Sequence, residues 1–302
     1  MGNLLITGIT GRSGKYFGNI LIKNKFEGKI VALIRDENKF KNMFGQQNII
    51  DYVIGDLTNE ETIADIITKN QIETIFHIYN IKHSLNIVKS ALSSGCVKRL
   101  ILVHTTGIYS KYKSAGAEYL EIESKIFDML KGSNISLTIL RPTMIYGSLD
   151  DKNISTFIKL VDKFRIFPLV GGGKYELQPV NHVDLGNAYY QVLINPDITK
   201  NKNYTLSGGT VVYLKDILQN VSKLLHKKTW FVNVPFWLAY SAANIVCFLS
   251  FKKIDYREKV QRLVEPRAYT NTDAVNDFGY SPIDFYDGLK DEVKLYIDSK
   301  KQ

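Results

Sequence analysis

Three glycines near the start of the chain form the first group of residues that could do chemistry. Gly8, Gly11 and Gly14 stand in ITGITGRSG at 6–14, directly behind the apolar run NLLIT. A helix beginning there offers free backbone N–H groups, and glycines let the pyrophosphate of a dinucleotide approach the backbone closely. Because strand, glycines, helix and second strand follow in order, the pattern predicts a dinucleotide site. The residues assigned to it are Gly8, Thr10, Gly11, Arg12, Ser13 and Gly14.

Charged residues after the second and third apolar runs indicate which dinucleotide would bind. Arg35 follows the run KIVALI, and its guanidinium group could converge with that of Arg12 on a 2′-phosphate. The sequence therefore favours NADP(H). Asp36, an acid able to hold the ribose hydroxyls, keeps NAD(H) open. Asp56 and Leu57 follow the third run and are expected to border the adenine ring.

Apolar runs alternate with helical patterns throughout the first half of the chain. They are NLLIT 3–7, KIVALI 29–34, DYVIG 51–55, ETIFHI 73–78, RLILVH 99–104 and SLTIL 136–140. Short apolar strands separated by amphipathic helices are typical of a parallel sheet covered on both faces. The sequence predicts an α/β fold, a doubly wound parallel Rossmann sheet with a smaller C-terminal substrate-binding lobe. The predicted dinucleotide-binding domain is 1–148, with 178–206 returning to it, and the lobe comprises 149–177 and 207–302.

Motifs spread over the whole chain resemble those of one known group. They are TGITGRSG at 7–14, GDL at 55–57, IFHIYN at 75–80, VKRLILVHTTGIY at 97–109, TILRPTMIYG at 138–147, QPVNHVDLGNAYY at 178–190 and DFGYSP at 277–282. The chain resembles the NAD(P)-dependent epimerase/dehydratase group of the extended and atypical short-chain dehydrogenase/reductase superfamily. The resemblance implies that Pro142, Thr143 and Tyr146 lie near the nicotinamide ring, with Tyr79 also at the cofactor. It also implies that Thr105 hydrogen-bonds the reacting oxygen.

The catalytic pair of that group is altered in this chain. The group carries a tyrosine base four residues before a lysine, on the helix after the fifth strand. Lys125 fits the lysine, which would hold the cofactor ribose, but Glu121 stands in the tyrosine's place. Tyr119 lies two residues further back, out of register with Lys125 on a helix. The base is then Glu121, Tyr109 reaching across the site, or no residue at all.

The resemblance further implies a substrate, because the group acts mainly on sugars attached to nucleotides. An epimerase, reductase or dehydratase of an activated sugar in surface polysaccharide synthesis is expected. Thr106, Tyr146 and Gln178 are the expected substrate contacts. Leu177 stands where many members carry an arginine for the diphosphate, and Arg262 and Arg267 could supply that charge instead. The rival interpretation is a catalytically impaired NAD(P)-binding sensor or scaffold, which the missing tyrosine favours.

The apolar segment WFVNVPFWLAYSAANIVCFLSF at 230–251 could be either part of the core or a membrane contact. Pro235 is expected to separate a short strand from a helix, and that helix is too short to span hydrocarbon comfortably. A buried helix of the substrate lobe is the favoured interpretation. The alternative is peripheral membrane contact through 236–251, consistent with the formal net charge of +9 and with a sugar-lipid substrate.

Composition excludes several other classes. Cys96 and Cys247 are far apart, and the five histidines lack ligand spacing, so neither a disulfide framework nor a metal site is expected. Nucleic acid is not an expected partner, because no array of basic and aromatic residues is visible. A cytoplasmic protein is expected, with the inner membrane face as the peripheral alternative. Members of the group often form dimers through a four-helix interface, so a homodimer is also expected.

Overall fold

The apolar runs of the first half form one sheet in the computed structural model of the protein, which describes residues 2–45, 49–112, 114 and 116–301. The strands are β1 Asn3–Thr7, β2 Ile30–Ile34, β3 Ile50–Ile54, β4 Ile72–His77, β5 Arg99–Val103, β6 Ser136–Pro142, β7 Ile145–Tyr146, β8 Ile166–Val170, β9 Glu176–Leu177, β10 Val180–Asn181, β11 Asn203–Leu206, β12 Val212–Tyr213 and β13 Trp230–Val234. The helices are α1 Arg12–Lys23, α2 Glu37–Phe44, α3 Glu60–Lys69, α4 Ser84–Ser94, α5 Gly116–Leu130, α6 Ile154–Lys163, α7 His182–Ile194, α8 Pro196–Thr199, α9 Leu214–Leu224, α10 Phe236–Leu249, α11 Arg257–Leu263, α12 Thr272–Phe278 and α13 Phe285–Ser299.

The order of the strands determines where a ligand can bind. The seven-stranded sheet has the order β11-β6-β5-β4-β1-β2-β3, and all neighbouring strands run parallel. The chain builds outwards from β1 to β3 and then crosses back to place β4 on the other side of β1. In open parallel sheets the loops at the carboxyl ends of the strands leave a crevice at such a reversal. The predicted doubly wound α/β fold is confirmed, and the glycine turn after β1 lies at this crevice.

Helices cover both faces of the sheet. One face is packed by α3, α4 and α5, whose inward residues include Ile63, Val88 and Ile126. The other is packed by α1, α2 and α7. One close approach on that face is at Gly186 of α7, where a Cβ atom would lie 2.7 Å from the Cβ of Tyr16. This contact fixes α1, and hence the turn that precedes it, against the sheet.

A separate hydrophobic core forms the smaller lobe. Its buried residues come mainly from α6, α9 and α13, together with Leu169 of β8 and Leu177 of β9. Strand β11, from within 178–206, pairs with β6 in the large sheet. The division into a dinucleotide-binding domain and a substrate-binding lobe, with the boundaries given above, stays a prediction.

Helix α10 differs from the favoured expectation of a buried helix. Only Ala243 and Cys247 among its residues are buried, whereas Trp237 is 68% exposed and Phe248 is 81% exposed. The reason is its position on the outside of the lobe, where its main neighbour is α11. Within the described ranges, no helix is both long and apolar enough to cross a membrane.

Candidate functional site

The turn after β1 is shaped for close approach of a ligand. Gly8 has φ of +77°, and a Cβ there would collide with the carbonyl oxygen of Ile78. A Cβ at Gly14 would collide in turn with the carbonyl oxygen of Gly8. Helix α1 follows with Gly11 as its N-cap; among the described residues no side chain caps it, and its first turn holds no acid. Its first N–H groups therefore form an anion-binding site at the crevice.

A cavity of about 470 Å³ adjoins this turn. We call it the Arg35 cavity, and its lining includes Gly8, Thr10, Arg35, Asp36, Lys39, Asp56, Leu57, Tyr79 and His83. The Arg35 guanidinium carbon lies 5.4 Å from the centroid of the Tyr79 ring, within cation–π range. A hydrogen bond from the backbone N–H of Thr58 lowers the pKa of Asp56, which keeps its carboxylate ionised. The structure thus brings together the predicted residues from the ends of β1, β2, β3 and β4.

Arg12 does not converge with Arg35. Its Nε lies 3.0 Å from Oδ1 of Asp150, and a second hydrogen bond joins it to the carbonyl oxygen of the same residue. Arg12 consequently lines two neighbouring cavities, of about 530 and 340 Å³, and not the Arg35 cavity. The second cation beside Arg35 is Lys39, in the first turns of α2. The expectation of an Arg12–Arg35 pair is corrected to Arg35 with Lys39.

The smaller of the two neighbouring cavities holds most of the predicted substrate contacts. We call it the Thr105 cavity, and its lining includes Arg12, Thr105, Thr106, Thr143, Gln178, Arg262 and Arg267. Burial, followed by the nearby Arg262, lowers the pKa of Arg267 to about 10, so it stays cationic at neutral pH. The Nε atoms of Arg262 and Arg267 are buried and make no hydrogen bond within the described part of the chain, and Arg262 Nε lies 4.0 Å from Oε2 of Glu265 in an ion pair. Three arginines around one cavity make it suited to an anionic group.

Hydrogen bonds to the backbone fix the polar wall of the Thr105 cavity. The Thr105 hydroxyl accepts from the N–H of Gly107 at 3.0 Å, and the Thr106 hydroxyl donates to the carbonyl of Pro142 at 3.3 Å. Thr143 donates to the carbonyl of Gln178 at 2.5 Å. The Gln178 side chain bonds Gly208 and Tyr269, which leaves its amide largely occupied by the backbone. These bonds join the end of β5 to the end of β6 and to the β9–β10 connection.

Glu121 and Lys125 lie on the outer face of α5. Lys125 Nζ is 2.6 Å from Glu121 Oε1, and the two side chains are 56% and 64% exposed. The hydrogen bond to Lys125 lowers the pKa of Glu121, which makes its carboxylate a weaker base. Neither residue lines the three cavities described above. The structure therefore does not support their expected catalytic and ribose-binding roles, and the pair is an ordinary surface ion pair.

The inner face of α5 carries Glu123 instead. Its Oε1 lies 2.8 Å from His104 Nδ1 and 3.0 Å from Arg141 Nε, and the His104 Nε2 lies 3.1 Å from the Ser84 hydroxyl. Burial alone would raise the pKa of Glu123, but the bonds from His104 and Arg141 outweigh it and lower the pKa. Burial also lowers the pKa of His104, so a neutral imidazole donates to Glu123 and accepts from Ser84. Tyr119, four residues before Glu123, lies on the same half of the helix and is half-buried.

Two other predicted tyrosines lie away from the Thr105 cavity. Tyr146 is buried in the core of the small lobe, its ring 5.2 Å from that of Phe285, and burial raises its pKa. Tyr109 is half exposed, and its ring centroid lies 5.6 Å from that of the tilted Tyr269 ring and 5.9 Å from the Arg141 guanidinium carbon. The expected contacts of Tyr146 with substrate and of Tyr109 with the reacting group are corrected by these positions.

With this geometry, comparison with known proteins decides the family. A family described as NAD(P)H-binding matches residues 8–163, which is more than half of the chain. The chain belongs to this family. The match begins at Gly8 and covers the glycine turn, the Arg35 cavity and all of α5. The resemblance to the epimerase/dehydratase group of the short-chain dehydrogenase/reductase superfamily is confirmed.

Individual relatives of this NAD(P)H-binding chain differ in what they do. It is 25% identical over 210 residues to NADH dehydrogenase [ubiquinone] 1 alpha subcomplex subunit 9, mitochondrial, of Arabidopsis thaliana, covering 69% of this chain and 48% of that protein. It is 25% identical over 183 residues to UDP-glucose 4-epimerase of Vibrio cholerae, covering 54% of each. The chain thus spans about half the length of these curated relatives. The structure of dTDP-glucose 4,6-dehydratase of Bacillus anthracis in complex with NAD superposes with a TM-score of 0.76 at 16% identity, covering 100% of this chain and 98% of that one.

The candidate site and its surroundings also contain residues that the motifs did not indicate. Lys39 and His83 line the Arg35 cavity, and Glu123 with Arg141 forms the buried ion pair behind Thr105. Lys39 could have been found from the sequence, because it lies three residues after Asp36, a residue type that often caps the start of a helix. In the structure the Asp36 side chain does cap α2, by accepting a hydrogen bond from the Lys39 N–H at 2.9 Å. Glu123 could also have been found, since the apolar residues Ile122 and Ile126 mark the inner side of α5.

Proposed function

We propose that the protein binds NADP(H) in preference to NAD(H) and uses it to modify an activated sugar, as an epimerase, reductase or dehydratase. The observation that carries the proposal is the run of anion-binding elements along one edge of the sheet. Arg35 and Lys39 lie at one end, the free N–H groups of α1 lie in the middle, and Arg12 with Arg262 and Arg267 lies at the other. The negative charges of NADP(H) and of a sugar phosphate or diphosphate would lie beside these three groups of hydrogen-bond donors and cations.

The nicotinamide ring would give or take a hydride at the sugar carbon, and the chain would position the sugar. Thr105 is held by Gly107 with its hydroxyl proton free to donate, so it can hydrogen-bond the reacting sugar oxygen. Arg262 and Arg267 come from the small lobe and take over the role of the arginine that Leu177 replaces. Relatives named as UDP-glucose 4-epimerase and as UDP-N-acetylglucosamine 4,6-dehydratase (inverting) support a nucleotide-linked sugar.

Tyr119 is the residue that we assign as proton acceptor, in place of Glu121 or Tyr109. It belongs to the inner half of α5, as Glu123 does, whereas Glu121 is on the outer face. Like Glu121, Tyr119 lines none of the three cavities, and it packs against the core beneath α5. A phenolate needs a nearby positive charge to form near neutral pH. Lys82 is a cation beside Tyr119, because the charge of Tyr119 is one of the smaller causes that raise the pKa of Lys82, after its ion-pair partner Glu118. Glu123 does not oppose this, since Arg141 neutralises it.

The test is turnover with defined substrates. Purified protein with NADP(H) or NAD(H) is incubated with UDP- and dTDP-linked hexoses, and both nicotinamide absorbance and sugar products are followed. The proposal expects turnover with at least one sugar, and loss of that turnover in Tyr119→Phe. Tight cofactor binding without any turnover would move the assignment to a sensor or scaffold. Sedimentation velocity on the same sample tests the expected homodimer, for which the exposed Leu120 and Phe127 on α5 provide an apolar surface.

A further inference from the structure

The outer side of the small lobe carries large exposed apolar residues on β13, on α10 and in the turn that follows α10. We call this group the apolar ridge, and its members are Trp230, Trp237, Leu238, Ile245, Phe248, Leu249 and Phe251. Phe251 is 88% exposed, and both tryptophans of the chain lie on the ridge. Helices at a water-facing surface normally turn a polar face outwards. This helix, α10, contains no Asp, Glu, Lys or Arg at all.

Basic residues stand at both ends of the apolar ridge. Lys227 and Lys228 precede β13, and Lys252 and Lys253 follow α10. Phe251 and Lys252 have φ of +51° and +65°, and this left-handed turn places both side chains outside the helix end. The nearest acid in sequence, Asp255, is already paired with Arg257 at 2.6 Å. Lys227 is paired with Asp162 at 3.1 Å, whereas Lys228, Lys252 and Lys253 have no acid partner within the described part of the chain, so these three lysines leave positive charge beside the apolar ridge.

We infer that the apolar ridge docks the protein on a bilayer surface that contains anionic lipids. Aromatic residues and lysines at the border of an apolar face match the boundary between acyl chains and headgroups. The 14 residues of α10 give a length of roughly 21 Å, so the helix lies in the plane of the surface and does not cross it. Lys228 on one side and Lys252 with Lys253 on the other bind the negative headgroups.

A second copy of this chain fits the ridge less well. A two-fold axis places the same patch of each copy face to face. Because Lys228 lies at one end of the ridge and Lys252 with Lys253 at the other, parallel and antiparallel arrangements both bring like charges together. An anionic bilayer has no such conflict. Charge complementarity therefore favours lipid as the occupant.

Docking would also place the candidate site at the membrane surface. Helix α11 packs against α10 and carries Arg262, which lines the Thr105 cavity. A sugar phosphate attached to a lipid could then reach the three arginines from the bilayer side. This last consequence rests on the proposed function, whereas the docking itself requires neither cofactor nor sugar.

Tryptophan fluorescence tests the docking directly, because both emitters lie on the ridge. The full chain is titrated with phosphatidylcholine vesicles and with vesicles that also contain phosphatidylglycerol, and bound protein is measured by co-sedimentation. The inference expects a blue shift of emission and sedimentation with the anionic vesicles, weakened by added salt. Protein that stays in the supernatant with unshifted emission overturns it. A blue shift without vesicles that grows with protein concentration assigns the ridge to a second copy, and also overturns it.

Matched variants separate ridge contacts from general changes in the surface. Phe248→Ser with Phe251→Ser removes two exposed rings and should lower vesicle affinity at least about 10-fold, while Ile198→Ser, at an exposed site on α8, should leave it unchanged. Lys252→Glu with Lys253→Glu should abolish the preference for anionic vesicles. The charge-matched control Lys23→Glu with Lys131→Glu should retain it. Equal losses in ridge variants and controls would contradict the assignment, and the far-ultraviolet circular dichroism spectrum of each variant reports that it is folded.

Discussion

Glu292 of α13 is fully buried beside another buried acid, Asp151. One Glu292 oxygen accepts from the Gly147 N–H at 2.9 Å, and the other has no partner of its own among the described residues. Asp151 Oδ2 likewise has no hydrogen-bond partner among the described residues, while the other Asp151 oxygen accepts from the Asn153 N–H. Two carboxyl oxygens left facing each other are stable only if they share a proton. Burial, followed by this contact with Asp151, raises the pKa of Glu292 to about 9.

The raised pKa of Glu292 lowers the free energy of unfolding at neutral pH. In the unfolded chain Glu292 releases its proton above its ordinary value of 4.5, whereas in the folded chain it keeps it up to about 9. Between these values the folded state binds the extra proton, so each pH unit lowers the free energy of unfolding by about 1.4 kcal/mol. Glu292→Gln keeps an uncharged donor for Asp151 without this cost. The variant should be more stable than the parent by about 3 kcal/mol at pH 7.

Urea unfolding at pH 5, 6, 7 and 8 measures this gain. The stability difference between Glu292→Gln and the parent should grow with pH and nearly vanish close to pH 4.5. Glu37→Gln is the control with the opposite sign, because the hydrogen bond from Lys41 lowers the pKa of Glu37. That contribution is present above the ordinary pKa and is lost on acidification, so this variant should gain no stability as pH rises. Parallel stability curves for Glu292→Gln and the parent would refute the shared proton.

Four further substitutions test the remaining assignments. Arg35→Ala should weaken NADPH binding by about 10- to 100-fold and NADH binding far less, since only the 2′-phosphate loses a charged partner; equal losses in a fluorescence titration would contradict the NADP(H) preference. Lys125→Ala should leave kcat within about two-fold, whereas Tyr119→Phe should lower it at least about 100-fold; the reverse order would restore the outer face of α5 as catalytic. Arg141→Ala should destabilise the fold by about 3 kcal/mol, because Glu123 stays buried without its cation; an unchanged urea midpoint would argue against that ion pair.

The fold followed from the sequence because its strands are short, apolar and separated by amphipathic helices. β1, β2 and β5 are buried at nearly every position and read as continuous apolar runs. β11 was harder to predict as a strand, because NYTL is short and half polar. It is a strand through its pairing with β6, which is a long-range contact that local propensity does not encode.

The cofactor turn could also be predicted, whereas the register of α5 could not be predicted from motif spacing alone. The glycines act locally, through φ and through backbone approach at Gly8. On α5, two pairs four residues apart compete, Glu121 with Lys125 and Tyr119 with Glu123. Only burial distinguishes them, and burial depends on which side of the helix meets α4 and the sheet. The exposure of α10 was likewise a matter of tertiary placement.

The central claim is that the glycine turn and the Arg35 cavity hold a nicotinamide dinucleotide. Isothermal titration calorimetry of the folded protein with NADPH and with NADH tests it most directly. Saturable binding of one dinucleotide per chain, tighter for NADPH than for NADH, is the result expected. A folded protein that gives no heat of binding with either dinucleotide at millimolar concentration would contradict the claim.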